Sequence, residues 1–473
     1  MSVKDLKQKM TEAKVAKSKE SLCHGYKSTF CVTCRKSIYQ SSNIEKLPLR
    51  FALTDEENIP RLVDTFLSVN VGVEIPKVSD MLHNDSEFLA LLSKIVKKFK
   101  RINLKVLLEK YCPKSETNEP LNVECVYAFM NAIVLKSEIS SLFGGKRHIK
   151  HIQKTLKMFL SKSISTKMTV GEMMFKFPVS SVWWIQKHPA PVRVNICAKV
   201  LCWLVRYFFR KILQSFFHCT DSTHRKYQTF FYRKSSWQAV TDKALDCLLR
   251  QDKLLVLSSK SKQRVHSNQA APVMARMRFI PKSNLSDVRM IARSEGAKTL
   301  DKSLINLLQS YCQLFQAKSD LSGNILCEQW EKLVLDLDQD TKLFWVTADI
   351  SDAFGSIRLS KLCQILDECH NRLQADSEGL MKEMKVMKET KERLKRRLLL
   401  HTVMFNSAGR RKTMVVRKGV LQGDPLSSLL SDIYYGHLVT TELSQFLTPQ
   451  PGTTEIFLRG ADDFLFVSSE KSR

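Results

Sequence analysis

The sequence predicts an α+β protein, with a mostly helical first half and a second half that mixes strands and helices. Three observations predict it. From about Leu47 to Arg250, apolar residues recur at three- and four-residue spacing, the period of helices with one buried face. From about Ala275 onward, short runs rich in Val, Ile and Phe alternate with helical stretches, the pattern of a sheet packed against helices. The 473-residue chain is also 44% hydrophobic, enough for folded cores in roughly three domains.

Lysine and arginine number 75 against 47 acids, a net charge of +28. Such a surplus points to a polyanionic partner. No membrane partner is expected: the most apolar stretch, Ile196 to Phe209, is broken by Lys199 and Arg206. The N-terminus has no apolar signal-peptide core. Thirteen scattered cysteines fit free thiols in a reducing compartment.

In chain order, residues 1–46 read as a basic tail. Its Cys23, His24, Cys31 and Cys34 offer zinc-type ligands, but the adjacent Cys23 and His24 suit chelation poorly, so zinc is not expected. Residues 47–265 read as a helical domain, in which Asp85 caps an amphipathic helix running to Lys110. Residues 266–473 read as the mixed domain. Within it Asp376 to Phe405 reads as a long charged helix, part of a helical insertion over about 358–410.

Chemistry concentrates in three stretches of the mixed domain. Leu343 to Ile357, LFWVTADISDAFGSI, reads as a strand ending on Asp349. Ile456 to Val467, IFLRGADDFLFV, reads as a hairpin with Asp462 and Asp463 at its turn. An isolated Asp-Asp pair is commonly a solvated turn. If the two elements are neighbours in one sheet, however, Asp349 and Asp462 converge. Such carboxylates bind magnesium, which takes oxygen ligands and keeps water and substrate phosphates in its other positions. Two ions about 3.5–4 Å apart can activate a 3′-hydroxyl and stabilise departing pyrophosphate, the chemistry of nucleotide polymerisation.

The third stretch, Arg417 to Gly436, has Gln422-Gly423 before Pro425 and then a small-and-apolar helix pattern. With the order strand acid, Gln-Gly and Asp-Asp, the sequence resembles the reverse transcriptase family. That resemblance implies right-hand fingers and palm with an antiparallel palm sheet. It implies two Mg2+ ions held at Asp349, Ile350, Asp462 and Asp463, with the three acids catalytic and Asp463 more supportive. It also implies that Phe354 lies under the incoming sugar, where a ring leaves no room for a 2′-hydroxyl. Gln422 and Gly423 would lie near the incoming base and the template. Arg276 to Arg293, RMRFIPKSNLSDVRMIAR, resembles the fingers hairpin of the same family, which implies that Lys282 and Arg289 contact the triphosphate. A point charge and a bidentate fork suit phosphate oxygens.

Two further stretches resemble telomerase reverse transcriptases in particular. Phe216 to Val240 resembles their T motif, with Phe230, Phe231, Tyr232, Arg233, Lys234 and Trp237 where that motif carries aromatics and bases. Phe231, Tyr232, Arg233, Lys234 and Trp237 are therefore expected to meet RNA, by stacking and phosphate contact. Some of the rings are also expected to line a core strand, which makes Arg233 and Lys234 the foremost contacts. Gly144 to Ile185 resembles their helical RNA-binding domain, with Met173, Met174, Val182 and Trp183 expected in its core. The 73 residues from Asp349 to Gln422 match an interval in which telomerases carry an insertion.

The resemblance implies telomerase RNA, a telomeric single-stranded DNA 3′ end, deoxynucleoside triphosphates and accessory proteins as partners, at telomeres in the nucleus. The chain departs from the family in carrying Phe354 for the usual tyrosine and Gly460-Ala461 before the acid pair. The family's N-terminal anchoring domain is expected to be absent, since the N-terminal tail is too short for it, and the helical thumb is expected to be absent, since only FLFVSSEKSR follows the acids. Two alternatives stay open: a catalytically impaired RNA-binding subunit, and a retroelement or group II intron-like enzyme, although no endonuclease motif is visible.

Overall fold

The computed structural model of the protein describes residues 31–32 and then 59–471, apart from short breaks and the longer stretches 222–227, 259–273, 295–301, most of 316–340, and 376–380. Cys23, His24 and Cys34 lie outside the described residues. The chain forms two compact units that divide between Lys234 and Ser235.

The first unit is built on helices α1 (Ile59–Leu67), α2 (Val78–His83), α3 (Ser86–Lys100), α4 (Leu104–Tyr111), α5 (Val123–Ser137), α6 (Lys146–Ser161), α7 (Val170–Met174) and α8 (Ala190–Trp203). A π-helical turn, Leu204–Phe209, joins α8 to α9 (Arg210–Phe216). Strands β1 (Cys31–Val32) and β2 (Met168–Thr169) pair, as do β3 (Phe217–Thr220) and β4 (Phe230–Arg233).

Asp85 caps α3 as expected, its carboxylate accepting from the Glu87 and Phe88 amides, and it also pairs with Lys187 at 3.0 Å. The helix expected to run on to Lys110 is instead two. It stops at Arg101, and Asn103 starts α4 by accepting from the Val106 amide at 3.1 Å. A good N-cap residue inside an apolar-periodic run reopened the helix in a new direction.

Aromatic rings fill this unit's core. Phe66 lies 4.2 Å from Trp203 and Phe88 lies 4.7 Å from Trp184, centroid to centroid. The Trp203 and Trp184 indole N–H groups donate to Thr65 Oγ1 and to the Leu142 carbonyl. Each ring fully withdrawn from water contributes on the order of 2–3 kcal/mol. The apolar stretch around Ile196 is therefore a core helix. Its Lys199 is buried and donates to the Leu67 and Val69 carbonyls at the end of α1. Among the described residues no helix is long and apolar enough to cross a membrane.

The sequence pattern places Trp183 in the core together with Met173, Met174 and Val182. Met173 and Val182 are buried and Met174 is half-buried, but Trp183 is 51% exposed and Trp184 takes the interior place. Both tryptophans lie in one short 3-10 turn, which sends neighbouring side chains in different directions.

The second unit begins with α10 (Lys234–Arg250) and β5 (Leu254–Val256). It continues with β6 (Met274–Pro281), β7 (Val288–Ser294), α11 (Lys302–Gln313), β8 (Phe344–Asp349), α12 (Ala353–Ser356), α13 (Leu359–Ala375), α14 (Met381–Leu399), β9 (Thr402–Ser407), β10 (Arg410–Val416), α15 (Ser427–Thr441), β11 (Glu455–Gly460) and β12 (Asp463–Ser468). One sheet has the order β5-β10-β9-β6-β7, antiparallel except for the parallel pair β6 and β9. The other, β11-β12-β8, is antiparallel throughout. Helices α11, α13, α14 and α15 bury Leu304, Tyr311, Leu366, Leu394 and Ile433 in one core.

The charged helix α14 is shorter than expected. The stretch to Phe405 does not remain helical, because Thr402 and Val403 pass into β9 and pair with Val415 and Met414. The interval from Asp349 to Gln422 therefore holds two strands as well as the helical insertion.

Candidate active site and nucleic-acid face

Strand β8 ends on Asp349 and strand β12 begins on Asp463, and the two residues are direct cross-strand partners. Strand β11 leads into a two-residue turn, Ala461-Asp462, between the paired Gly460 and Asp463. The Ile350 amide donates to the Asp462 carbonyl at 3.0 Å. Sheet register thus brings Asp349, Asp462 and Asp463 to one end of one sheet, beside Ile350. Asp349 and Asp463 are exposed and Asp462 is half-buried, so the site is open to a solvated substrate. Among the described residues no group of three or more His, Cys, Asp or Glu could hold a metal ion, so the three acids share one end of the sheet without closing a metal cage. Magnesium needs only one or two carboxylates when substrate phosphates and water supply the rest, so the donor set fits that ion.

Arg459, two residues before the turn, donates to the Ala461 carbonyl at 3.2 Å and lies 3.7 Å from Asp432 on α15. Tyr435, buried on the same helix, donates to the Ala353 carbonyl at 2.6 Å. Burial, with Tyr434, Asp462 and Asp352 adding to it, pushes the Tyr435 phenol up to about 12, so it stays protonated and keeps that bond. Asp352 is itself at φ +54 and pairs with Lys253. Neither Tyr435 nor Asp352 was singled out from sequence, since each is recognised only by a partner far along the chain.

Beyond Asp349, α12 carries Phe354, whose carbonyl accepts from the Val420 amide at 2.9 Å. Gly419 lies against Gly355 so closely that a Cβ on Gly419 would stand 2.6 Å from the Gly355 Cα. The chain then reaches Gln422, whose carbonyl accepts from the Ala292 amide of β7 at 2.8 Å. Gly423 follows at φ +94, where a Cβ would stand 2.6 Å from the Ala292 carbonyl oxygen, so only glycine fits. Three positions before Ala292 on the same strand, exposed Arg289 pairs with Ile280, and exposed Lys282 opens the hairpin turn, donating to the Asp287 carbonyl. The structure therefore stitches Phe354, Gln422-Gly423 and the Lys282/Arg289 hairpin together by backbone contacts.

The expected RNA contacts are placed differently. All four residues of β4 are buried, Phe231 and Tyr232 almost completely. Leu121 donates to the Phe231 carbonyl at 2.7 Å and covers the strand. Arg233 is buried and forks onto both Glu109 oxygens at 2.9 Å, and donates to the Cys112 carbonyl at 3.1 Å. That fork holds the Glu109 carboxyl below its ordinary range. Lys234 and Trp237 are buried too. Phe231, Tyr232, Arg233, Lys234 and Trp237 thus support the fold from inside, as expected for those rings that line a core strand.

An exposed basic face lies on α6. Lys146, Lys150, Lys154 and Lys157 recur at helical spacing and are exposed, with Arg147 beside them, while Ile152, Leu156 and Phe159 are buried opposite. Beside them opens a cavity of about 430 Å³ lined by His151, Lys154, Met158, Gly171, Glu172 and Phe175. Phe175 is exposed and stacks with Lys176. The spacing of lysines in KRHIKHIQKTLKMFL is the sequence signal for this face.

Residues 125–248 match the family model described as the RNA binding domain of the telomerase ribonucleoprotein complex. Over 269 residues the chain is 28% identical to the telomerase reverse transcriptase of Mus musculus, covering 51% of this chain and 24% of the relative. Over 450 residues it is 23% identical to that of Arabidopsis thaliana, covering 76% of this chain and 39% of the relative. The chain thus spans well under half the length of these relatives. In fold it is similar to apo telomerase from Candida tropicalis truncated from its C-terminal domain, with a TM-score of 0.72 at 16% identity, covering 93% of this chain and 89% of that one. It is also similar to Candida albicans telomerase in complex with the TWJ fragment of telomeric RNA, with a TM-score of 0.71 at 17% identity, covering 92% and 72%.

Proposed function

We propose that this chain, a member of the telomerase reverse transcriptase family, extends chromosome 3′ ends by copying a bound RNA into DNA. The observation that carries this reading is the register that pairs Asp349 with Asp463 and hydrogen-bonds Ile350 to Asp462. Asp349 and Asp462 would hold two magnesium ions, with Ile350 and Asp463 beside them. When bound, those ions supply the Lewis-acid stabilisation of the attacking and departing oxygens.

The chain's own residues do the rest. Lys282 and Arg289 hold the triphosphate. Phe354 lies under the sugar and excludes a 2′-hydroxyl. The Gln422-Gly423 loop orients the incoming base, because glycine lets the backbone stay close to β7 beside half-buried Gln422. Most of the rate then comes from positioning and charge stabilisation.

In this reading residues 47–265 form the RNA-binding domain and residues 266–473 the fingers and palm. The basic α6 face and its cavity support RNA binding: the lysines answer phosphates, and Phe175 offers a stacking ring. Telomerase RNA, a telomeric DNA 3′ end, deoxynucleoside triphosphates and accessory proteins are the proposed partners, at telomeres in the nucleus.

The test is extension of a DNA primer annealed to an RNA template in Mg2+. The parent chain extends it, while Asp462→Ala loses at least about a hundredfold in rate and keeps its RNA affinity. Equal extension by both chains overturns the assignment. A second reading, an RNA-binding chain without polymerase activity, is favoured by the α6 face, which is independent of the acids. RNA binding by a parent that extends nothing would select it.

A further inference from the structure

Asp424 directly follows Gln422-Gly423, and its carboxylate is buried. One oxygen, Oδ1, accepts from the Leu426 amide at 2.9 Å and turns the chain into α15. The other, Oδ2, accepts from Arg397 Nη2 at 2.9 Å, and Arg397 stands in the last turn of α14. The Ser427 hydroxyl ties down the same bend by donating to the Leu421 carbonyl at 2.7 Å. His401 Nε2 lies 3.7 Å from Asp424 Oδ2. Burial pushes the His401 imidazole down, with Asp424 opposing that and Arg397 adding to it, so Arg397 is the cation that answers Asp424 at neutral pH. The void between these groups is about 10 Å³, room for no more than about one water molecule, so solvent does not replace the guanidinium.

The opposite side of the loop is fastened to β7, where Ala292 donates to the Gln422 carbonyl. Gln422 and Gly423 therefore sit between two anchors, one on the strand that carries Arg289 and one on the charged helix. Loss of either anchor leaves the loop free to tilt. Loss of Arg397 also takes a hydrogen-bonded counter-charge from a buried carboxylate, which pulls the loop toward solvent.

We propose that Arg397 and Asp424 are positioning residues for the incoming nucleotide, holding the Gln422-Gly423 loop in place against β7 and making α14 a working part of the nucleotide site. The inference rests on the polymerase reading above. Neither residue touches the nucleotide; both act through the loop.

The test compares Arg397→Gln, Asp424→Asn, the double variant and Arg397→Lys, using an RNA template annealed to a DNA primer and a single deoxynucleoside triphosphate. Each single neutral variant should raise the nucleotide KM about tenfold with kcat changed less than about threefold. The double variant should be no worse than the poorer single one, and Arg397→Lys should restore KM to within about threefold of the parent. A fall in kcat at constant KM, or additive losses in the double variant, overturns the proposal. Amide exchange gives an answer independent of activity: exchange at Ala292 and across 421–426 should quicken in both single variants while α13 and β12 keep the parent's protection. Unchanged exchange at Ala292, or equal quickening throughout the unit, overturns it. A parent chain that extends no primer overturns the polymerase reading instead, and exchange at Ala292 then decides the anchoring on its own.

Discussion

Ala461 holds φ +55 in the turn that presents Asp462, a conformation that costs a residue with a Cβ about 1–2 kcal/mol. Arg459 braces that turn through the Ala461 carbonyl. Ala461→Gly should relieve the strain and lose part of the gain to unfolded-state entropy, for a net stabilisation of about 0.5 kcal/mol. Chemical denaturation would read it, and a loss of stability would contradict the strain. Arg233 makes the opposite case. Arg233→Ala removes the hydrogen bonds to Glu109 and Cys112 from a buried guanidinium, but half-exposed Glu109 can return to water, so the cost should be about 2 kcal/mol. RNA affinity at a temperature where the variant stays folded should match the parent; weaker binding at unchanged stability would restore Arg233 as a contact. The acids were legible because a strand ending in Asp349 and a hairpin around Asp462 are local patterns. Arg233 and Trp183 were not, because sequence spacing does not show which side of a strand or 3-10 turn a neighbouring chain covers.

Element geometry decides which surfaces remain for partners. On α6 the lysines at helical spacing share one solvent face. Replacing Lys150, Lys154 and Lys157 together with alanine should weaken binding to single-stranded RNA and flatten the slope of log affinity against log salt by about two. An unchanged slope would remove this face from the RNA path. Strand β8 poses a different problem. All six of its residues are exposed, Trp345 by 75%, and among the described residues it pairs only with β12. A bare, apolar edge is a template for strand addition, so Val346→Lys should slow aggregation without altering the register that places Asp349. Light scattering at fixed concentration would read it, and unchanged aggregation would show that the edge is already covered. The hairpin Arg276–Arg293 was legible because two alternating runs flank a polar turn. The parallel pairing of β6 with β9 was not, since it joins residues more than a hundred positions apart.

At the scale of the molecule, two separately cored units carry a helix with a basic face and a set of acids. Burial lowers the imidazole pKa of His148 in the first unit, and of His370 and His401 in the second. Each is held neutral in the fold but takes up a proton when unfolded. Stability is therefore full above the unfolded value of about 6.5 and falls as pH drops below it toward the lowered folded values. The thermal midpoint should decrease from pH 7.5 to pH 5.5; a constant midpoint would contradict the burial of these rings. The division into a helical part and a mixed part was legible in residue periodicity. The loop anchor between Arg397 and Asp424 was not, because only packing of α14 against the start of α15 brings the two charges together. The most direct test of the central claim is single-nucleotide incorporation on a preassembled RNA–DNA duplex at saturating deoxynucleotide and Mg2+, comparing the parent with Asp349→Ala. The account predicts a rate at least about a hundredfold lower at unchanged duplex affinity, and incorporation within about threefold of the parent would contradict it.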